Sequence, residues 1–224
     1  MKNHVTISKE ITGATAVYGL IGNPVTFSLS PLIHNTVSRF LGMDNVYVAF
    51  PTKDRNMKYA LEGAHILGIK GFNITHPYKQ EVIPLLTYVD PVALQIGAVN
   101  TLKYENKGYS GYNTDGHGLY ASLVENKVEL KNQNIVILGA GGSARAVCMM
   151  AASKNPLKIY ILNRTIENAK LLATEVRKYY NVDVEVLPMD QWTKLPTDCI
   201  CFQTTSVGMG NAQEASPIDH DEFF

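Results

Sequence analysis

Short apolar runs rich in β-branched residues alternate along this chain with longer amphipathic stretches, and this alternation is the feature that most limits its fold. Residues 14–21 and 69–75 are examples of the short runs, whereas residues 54–67 and 166–180 are examples of the longer stretches. Strands that alternate with helices of about ten or more residues are typical of βαβ units around a mostly parallel sheet. The pattern therefore predicts an α/β fold.

The alternation falls into two series, which are separated near residues 113–132. A chain of 224 residues is long enough for one large domain or two modest ones. The first series closes with a predicted β-hairpin between residues 98 and 112. We therefore expect two α/β domains with a cleft between them, residues 1–113 and residues 114–224. The second is predicted to be a Rossmann-type, doubly wound parallel sheet.

The overall charge limits the partners that the chain is expected to have. Twenty Lys and Arg residues balance twenty Asp and Glu residues, which excludes a long polybasic arm for nucleic acid. No apolar run approaches the roughly 18 residues of a membrane helix, and the first ten residues lack the apolar core of a secretory signal. Three cysteines, an odd number, argue against a disulfide framework. We expect a globular, cytoplasmic protein that binds neither nucleic acid nor membrane.

A glycine-rich turn joins a predicted strand, residues 135–138, to a predicted helix, residues 143–153. The turn consists of Gly139, Ala140, Gly141, Gly142, Ser143 and Ala144. It matches the pattern G-x-G-x-x-A, in which Gly139 permits the tight turn and Gly141 lets the backbone approach a pyrophosphate. The helix N-terminus offers N–H groups and a partial positive charge to phosphates. Taken alone, the glycines are explained equally well by a tight turn that binds nothing.

The end of the next predicted strand distinguishes between two dinucleotides. NAD-binding versions of this fold place an acidic residue about 20 positions after the glycines, where it holds the ribose 2′-hydroxyl. Here that place is taken by Asn163, Arg164 and Thr165. The guanidinium of Arg164 suits a 2′-phosphate, because its planar fork donates two parallel hydrogen bonds. The missing acid favours NADP over NAD.

The first series carries polar side chains where loops are expected to leave strand ends. Ser28 and Ser30 precede a predicted helix over residues 31–41, for which Ser30 is the expected N-cap, and both hydroxyls could hold a carboxylate. The remaining members of the set are Asn73, Thr75, Lys79, Asn100 and Asp115. Such residues are individually typical of turns and solvated surface. Together they suit a small, polyhydroxylated ligand.

Metal chemistry is not expected. The six histidines show no spacing typical of metal ligands. Hydride transfer to a nicotinamide needs no metal where a side chain handles the proton of the alcohol.

Seven short motifs follow one another along the chain. They are YGLIGNP (residues 18–24), SLSP (28–31), NITHPYK (73–79), GAVNT (97–101), GYNTDG (111–116), GAGGSAR (139–145) and NRT (163–165). In this order and spacing they resemble the shikimate dehydrogenase family, and the resemblance covers essentially the whole chain. The glycine motif alone would be unspecific, but seven motifs in family order make the resemblance strong.

The resemblance implies interconversion of shikimate and 3-dehydroshikimate with NADP, on the route to aromatic amino acids. We expect a monomer or homodimer. It implies a substrate-binding and catalytic domain followed by an NADP-binding Rossmann domain. Ser28 and Ser30 would hold the substrate carboxylate, and Lys79 would be catalytic. The ring hydroxyls would bind Asn73, Thr75, Asn100 and Asp115. Gly139 to Ser143 would cradle the pyrophosphate, and Asn163 to Thr165 the 2′-phosphate. We expect Lys79 and Asp115 to act as a coupled pair around the reacting hydroxyl.

The chain departs from the family pattern at two places. Gln203 stands where Asn is more usual, in a loop that the family places beside the nicotinamide. The family also continues beyond the point where Phe224 ends this chain, so the sequence is expected to lack the family's C-terminal segment. Two alternatives stay open: a quinate/shikimate dehydrogenase of broader specificity, and a shortened paralogue that binds NADP or shikimate without turnover.

Overall fold

The computed structural model describes residues 10–52, 56–208 and 215–218, which form two compact units. The first unit contains the described residues up to Leu94, together with Val99–Tyr112. The second contains Gln95–Ala98 and the described residues from Asn113 onward. The chain therefore passes from one unit to the other three times. The last of these crossings lies between Tyr112 and Asn113, one residue before the predicted boundary.

Strands and helices alternate in both units, as the sequence pattern predicts. The strands are β1 Ala16–Gly22, β2 Asn45–Pro51, β3 Gly71–Ile74, β4 Tyr88–Val89, β5 Thr101–Glu105, β6 Gly108–Tyr112, β7 Asn134–Leu138, β8 Lys158–Asn163, β9 Val184–Pro188 and β10 Ile200–Gln203. The α-helices are α1 Ser30–Phe40, α2 Met57–Ile66, α3 Pro91–Ile96, α4 Asp115–Glu125, α5 Gly142–Ala152 and α6 Ile166–Tyr179. Short 3₁₀ helices cover Ile83–Leu85 and Met189–Lys194.

The first unit is built on a six-stranded sheet with the strand order β2-β1-β3-β5-β6-β4. Strands β2, β1 and β3 run parallel, whereas β5 runs antiparallel to both β3 and β6. Because β6 and β4 run in the same direction as β3, the sheet is mostly parallel as expected, and the predicted hairpin reverses only β5 within it. The reversal sets the start of β5 beside the end of β3, where Asn73 pairs with Thr101.

One face of this sheet is packed against α2. Met57, Leu61 and Ala64 lie on one side of that helix and are buried. Their spacing of three and four residues forms a single apolar stripe on an α-helix. The stripe packs in one cluster with Phe72 and Ile74, which point to the same face of β3.

The second unit contains a four-stranded, wholly parallel sheet with the order β10-β7-β8-β9. Successive strands run outward from β7 to β9, and the chain then returns to place β10 on the other side of β7. This reversal is the topological switch point of a Rossmann fold, where ligands bind outside the carboxyl ends of the strands. The predicted Rossmann-type parallel sheet is confirmed.

Both faces of this second sheet are buried, as a doubly wound fold requires. Ile135 and Ile137 are fully buried in a cluster that includes residues of α5 and α6. The alternate residues Val136 and Leu138 belong to a separate cluster with Leu187 of β9. Because neighbouring side chains on a strand point to opposite faces, β7 reads as a continuous apolar run.

The segment Gln95–Ala98 is part of the core of the second unit, although most residues that flank it belong to the first. Ile96 and Ala98 are buried in the cluster around α5. The Nε group of Arg145 donates a hydrogen bond of 2.7 Å to the carbonyl of Ile96. Desolvation lowers the pKa of the Arg145 guanidinium below its ordinary value. The half-buried Arg145 side chain thus contacts this segment through a hydrogen bond.

Neighbouring leucines on α6 offer a matched test of this packing. Leu172 is fully buried, whereas Leu171 is 64% exposed. We expect Leu172→Ala to lower the free energy of unfolding by about 2–5 kcal/mol, because it leaves a cavity in the core. Leu171→Ala should change it by less than about 0.5 kcal/mol. Urea denaturation followed by circular dichroism measures both, and equal effects would contradict this packing.

Candidate functional site

The polar residues predicted in the first unit gather at one edge of its sheet. Strands β1 and β3 are parallel, so the loops that follow them leave from the same edge. Asn100 precedes the antiparallel strand β5, and its carbonyl accepts a hydrogen bond of 2.8 Å from the N–H of Ile74, the last residue of β3. The N–H of Val99 donates to the carbonyl of Lys79 at 2.7 Å. These bonds bring the segments that carry Thr75, Lys79 and Asn100 together.

Asn73 is held in a side-chain network that the sequence analysis did not foresee. The hydroxyl of Tyr47 donates to Oδ1 of Asn73 at 2.8 Å, and Nδ2 of Asn73 lies 3.4 Å from Oγ1 of Thr101. The Thr101 hydroxyl donates in turn to Oδ1 of Asn100 at 2.9 Å. Since its oxygen accepts from Tyr47, the amide of Asn73 directs its NH₂ group towards the edge where Asn100 lies.

Tyr47 is buried beneath this edge. Burial raises the pKa of its phenol to about 12, so the hydroxyl remains a donor throughout the neutral range. The ring of His34, on α1, stacks on the ring of Tyr47 with 4.2 Å between centroids. In the sequence Tyr47 reads only as an aromatic residue in a strand, and only the cross-sheet contact with Asn73 reveals its part in the site.

The expected role of Ser30 as an N-cap is wrong. The helix α1 begins at Ser30 itself, and its N-cap is Leu29, which adopts a helical backbone conformation. Oγ of Ser28 accepts a hydrogen bond of 3.2 Å from the N–H of Ser30. The helix therefore starts one residue early, and Ser28 satisfies an N–H group at its first turn. Both serine side chains are half-buried.

The loop after β3 is anchored by Tyr78. This side chain is 1% exposed, and its hydroxyl donates to the carbonyl of Thr52 at 2.5 Å. The loop begins at Thr75, whose N–H donates to the carbonyl of Ile21 at 2.9 Å, and it contains a cis peptide bond before Pro77. Because Tyr78 is fixed inward, the next residue, Lys79, is held at the sheet edge and is half-buried.

Asp115 begins helix α4 in the second unit. Its N–H donates to Oδ1 of Asn113 at 3.0 Å, and Nδ2 of Asn113 donates to the carbonyl of Ala98 at 2.9 Å. Asn113 therefore fixes the start of α4 against the segment Gln95–Ala98. Lys79 belongs to the first unit and Asp115 to the second, so their action as a pair stays a prediction.

The glycine-rich turn has the backbone conformation expected of a dinucleotide loop. Gly139 has φ +115°, in the region that favours glycine, and its N–H donates to the carbonyl of Leu162 at 2.7 Å. Gly141 is the N-cap of α5 and has extended backbone angles. A Cβ placed on Gly141 would meet no atom within 4 Å. Ala144 is fully buried, which lets α5 pack closely on the sheet.

The first turn of α5 is therefore open to an anion. Gly141 has no side chain, and no side-chain cap bonds the helix start. The first helical bond runs from the N–H of Arg145 to the carbonyl of Gly141 at 3.0 Å. The start of α5 therefore lies at the positive end of the helix dipole, where an anion is stabilised.

The residues predicted to hold a 2′-phosphate lie beside this turn. Asn163 is the last residue of β8, and β8 pairs with β7 so that Leu162 lies opposite Leu138. The side-chain amide of Asn163 donates to the carbonyl of Thr165 at 2.8 Å, which folds the turn into α6. Arg164 and Thr165 are exposed in this turn. The structure thus brings the three residues to the same sheet edge as the glycine loop.

One cavity of the first unit is lined by Asn73 but by none of the other predicted substrate residues. It has a volume of about 860 Å³ and lies over the sheet between α1 and β5. Asn73 and Thr101 are among its lining residues, whereas Ser28, Lys79 and Asn100 are not. Among residues 10–52, 56–208 and 215–218, no three His, Cys, Asp or Glu residues are grouped as metal ligands would be.

Comparison with known proteins identifies the family. A family model described as "Shikimate dehydrogenase substrate binding domain" matches residues 20–102, and one described as "Shikimate / quinate 5-dehydrogenase" matches residues 122–206. The chain is 46% identical over 210 residues to the shikimate dehydrogenase (NADP(+)) of Methanothermobacter thermautotrophicus, covering 93% of this chain and 74% of that protein. The chain belongs to the shikimate dehydrogenase family.

Solved structures of the family share this fold. A crystal structure of shikimate dehydrogenase in complex with NADP+ matches with a TM-score of 0.86 and 39% identity, over 96% of this chain and 76% of that one. Quinate dehydrogenase from Corynebacterium glutamicum, in complex with NAD, matches with a TM-score of 0.80 and 29% identity, over 92% of this chain and 75% of that one. The sequence-based recognition of the family is confirmed.

Among the described residues, no helix is both long enough and apolar enough to span a membrane.

Two glycines of the family's loop should respond differently to alanine. A Cβ on Gly139 would lie 2.6 Å from Oγ1 of Thr204, and its positive φ disfavours alanine. We expect Gly139→Ala to lower the free energy of unfolding by about 1–3 kcal/mol. Gly141→Ala, which meets open space, should stay within about 1 kcal/mol of the wild type. Equal losses in chemical denaturation would contradict the loop geometry.

Proposed function

We propose that this chain catalyses the reversible, NADP-dependent oxidation of shikimate to 3-dehydroshikimate. The open glycine loop at the start of α5 is the observation that carries the proposal, because it offers backbone N–H groups to a diphosphate at the switch point of a parallel sheet. Family membership supports the same reaction, since the relatives that match over most of their length are named shikimate dehydrogenase (NADP(+)).

The residues of the second unit fit NADP. The absence of a carboxylate at the end of β8, and the exposed guanidinium of Arg164 there, favour a cofactor with a 2′-phosphate. Asn163 and Thr165 complete this end of the site, and Gly139 to Ser143 hold the diphosphate. NADP, when bound, supplies the hydride acceptor of the oxidation and the hydride donor of the reduction.

The residues of the first unit suit a carboxylated ring with several hydroxyls. Ser28 and Ser30, at the N-terminus of α1, hold the carboxylate. The amide of Asn73 and the side chains of Thr75 and Asn100 bind ring hydroxyls. The network from Tyr47 supports this assignment because it fixes the direction of the Asn73 amide before a ligand arrives. A preorganised polar group loses little freedom when it binds.

Lys79 carries the proton transfer. In the reduction, its ammonium group donates a proton to the carbonyl oxygen of 3-dehydroshikimate as that oxygen takes on negative charge. In the oxidation, its amine accepts the proton from the hydroxyl that forms the ketone. Asp115 binds the same hydroxyl and balances the charge of Lys79. The half-buried position of Lys79, behind the anchor Tyr78, supports this role because it limits the reach of a flexible side chain.

The setting that fits this reaction is the cytoplasm, where the enzyme acts as a monomer or homodimer on a small-molecule substrate. The balance of twenty acidic and twenty basic residues gives no overall field for nucleic acid, so attraction of the anionic substrate and cofactor must be local.

Replacement of Lys79 tests the catalytic assignment. Lys79→Met keeps the length of the side chain and removes the amine, so we expect kcat to fall by about 100-fold or more, with KM for NADPH little changed. Lys70→Met is a matched control, because Lys70 is an exposed lysine of the same unit and should leave kcat unchanged. The assay is reduction of 3-dehydroshikimate followed at 340 nm, with thermal melting to verify folding. Retention of most of kcat by Lys79→Met would exclude Lys79 as the proton donor.

Replacement of Arg164 tests the cofactor assignment independently. Arg164→Ala removes the guanidinium from the 2′-phosphate site, and we expect KM for NADP+ to rise by about tenfold or more while KM for NAD+ changes little. Lys170→Ala removes an exposed cation from α6 and serves as the control for net charge. An equal change in KM for both cofactors would show that Arg164 does not bind the 2′-phosphate.

Quinate is the alternative substrate that the structural match to quinate dehydrogenase raises. A comparison of shikimate and quinate, each with NADP+ and NAD+, separates the two activities on one preparation of the chain. Preference for shikimate with NADP+ is expected. Binding of NADP+ by thermal shift without turnover of either substrate would favour a binding protein instead.

A further inference from the structure

Thr204 makes an unusual double contact with the strand that leads into the glycine loop. It follows β10 directly, and its N–H donates to the carbonyl of Leu138 at 2.9 Å. Its hydroxyl donates to the same carbonyl at 2.6 Å. Leu138 is the last residue of β7, so its carbonyl belongs to the peptide group that enters Gly139. Both lone pairs of this carbonyl are engaged by one residue.

Thr204 also limits the space around Gly139. A Cβ at Gly139 would lie 2.6 Å from Oγ1 of Thr204 and 3.3 Å from Cγ2 of Thr205. The threonines therefore pack directly on the turn whose backbone is predicted to carry the diphosphate. The other side of the turn is held by the bond from the N–H of Gly139 to the carbonyl of Leu162. The peptide between Leu138 and Gly139 is fixed from both neighbouring strands.

The side chain of Gln203 holds the loop that follows β10. Its Oε1 accepts a hydrogen bond of 2.7 Å from the N–H of Thr205, and its Nε2 donates to the carbonyl of Val207 at 3.1 Å. The N–H of Val207 donates to Oγ1 of Thr205 at 3.1 Å. One amide thus closes a turn over residues 203–207, through contacts with the residues two and four positions further along the chain.

We propose that Thr204 is a positioning residue for the cofactor, which fixes the glycine loop through the carbonyl of Leu138, and that Gln203 holds Thr204 in place. The inference rests on the proposed NADP-dependent function and adds to it a residue that contacts the loop rather than the substrate. Without the Thr204 hydroxyl, the carbonyl of Leu138 loses one of the two hydrogen bonds that it accepts from Thr204. The glycine loop is then less well ordered, so that its N–H groups are less often oriented to bind the diphosphate.

Thr204→Val tests this role, because it keeps the shape of the side chain and removes the hydroxyl. We expect the Kd for NADP+ to rise about fivefold to tenfold. The Kd for adenosine 2′-monophosphate, which lacks the diphosphate and reaches only Asn163 to Thr165, should stay within about twofold of the wild type. Thr204→Ser restores the hydroxyl and should restore NADP+ binding. Calorimetric titration of the whole chain measures each of these affinities.

Thr174→Val is the matched control. It removes a hydroxyl that donates to the carbonyl of Lys170 at 2.9 Å on the exposed face of α6, so it deletes a similar hydrogen bond in the same unit. It should change neither affinity. Thermal melting of each variant identifies a general loss of structure, which would weaken both ligands together.

Gln203 is tested by two variants that remove its hydrogen bonds in steps. Gln203→Glu keeps the acceptor for Thr205 and removes the donor to Val207, whereas Gln203→Met removes both. We expect the Kd for NADP+ to rise in the order Gln203, Gln203→Glu, Gln203→Met, with the KM for shikimate unchanged. Loss of affinity for both nucleotides in Thr204→Val, or no loss for either, would overturn the inference. A wild-type chain that binds NADP+ without turning over shikimate would instead overturn the proposed function.

Discussion

The hydrogen bonds of the peptide group between Leu138 and Gly139 fix the glycine-rich turn of the second unit. Three hydrogen bonds meet there, from the N–H of Gly139 to β8 and from the N–H and hydroxyl of Thr204 to the carbonyl of Leu138. They join three parallel strands at the edge where the chain must turn sharply into α5. A buried carbonyl or N–H without a partner costs about 1–3 kcal/mol, so a strand cannot end at this place unless its neighbours complete the bonds. The positive φ of Gly139 is the conformational consequence of that constraint.

In the first unit, side chains also complete hydrogen bonds at the sheet edge. Reversal of β5 brings Asn100 and Thr101 beside Asn73, which concentrates polar groups at a sheet edge that is partly buried. Tyr47 supplies the donor that the Asn73 oxygen needs. In the part of the chain that the structure describes, no buried side-chain nitrogen or oxygen lacks a hydrogen-bond partner. Hydrogen bonds within the site therefore fix the orientation of the side-chain amides of Asn73 and Asn100.

The sequence predicts the regular elements well because their signals are local. Apolar alternation identifies both series of strands and helices, and the glycine turn is recognisable from six consecutive residues. The start of α1 is missed by one residue because Ser28 and Ser30 are both acceptable caps, and only the backbone angles of Leu29 decide between them. Tyr47 and Thr204 are missed for a different reason. Each acts on a residue more than 20 positions away, across strands whose register no short pattern encodes.

The segment Gln95–Ala98 has a consequence for how this molecule can be divided. Gln95 donates to the hydroxyl of Tyr180, Ile96 accepts from Arg145, and Ala98 accepts from Asn113. If the chain were divided at residue 113 into two separate proteins, the second protein would lack Ile96 and Ala98. A cavity would remain in its core, and Arg145 would lose its hydrogen-bond acceptor there. For the second unit to fold alone, the segment Gln95–Ala98 would have to be supplied with it, either fused to the chain or added as a peptide. The second unit thus depends on a four-residue segment that lies, in the sequence, among residues of the first unit.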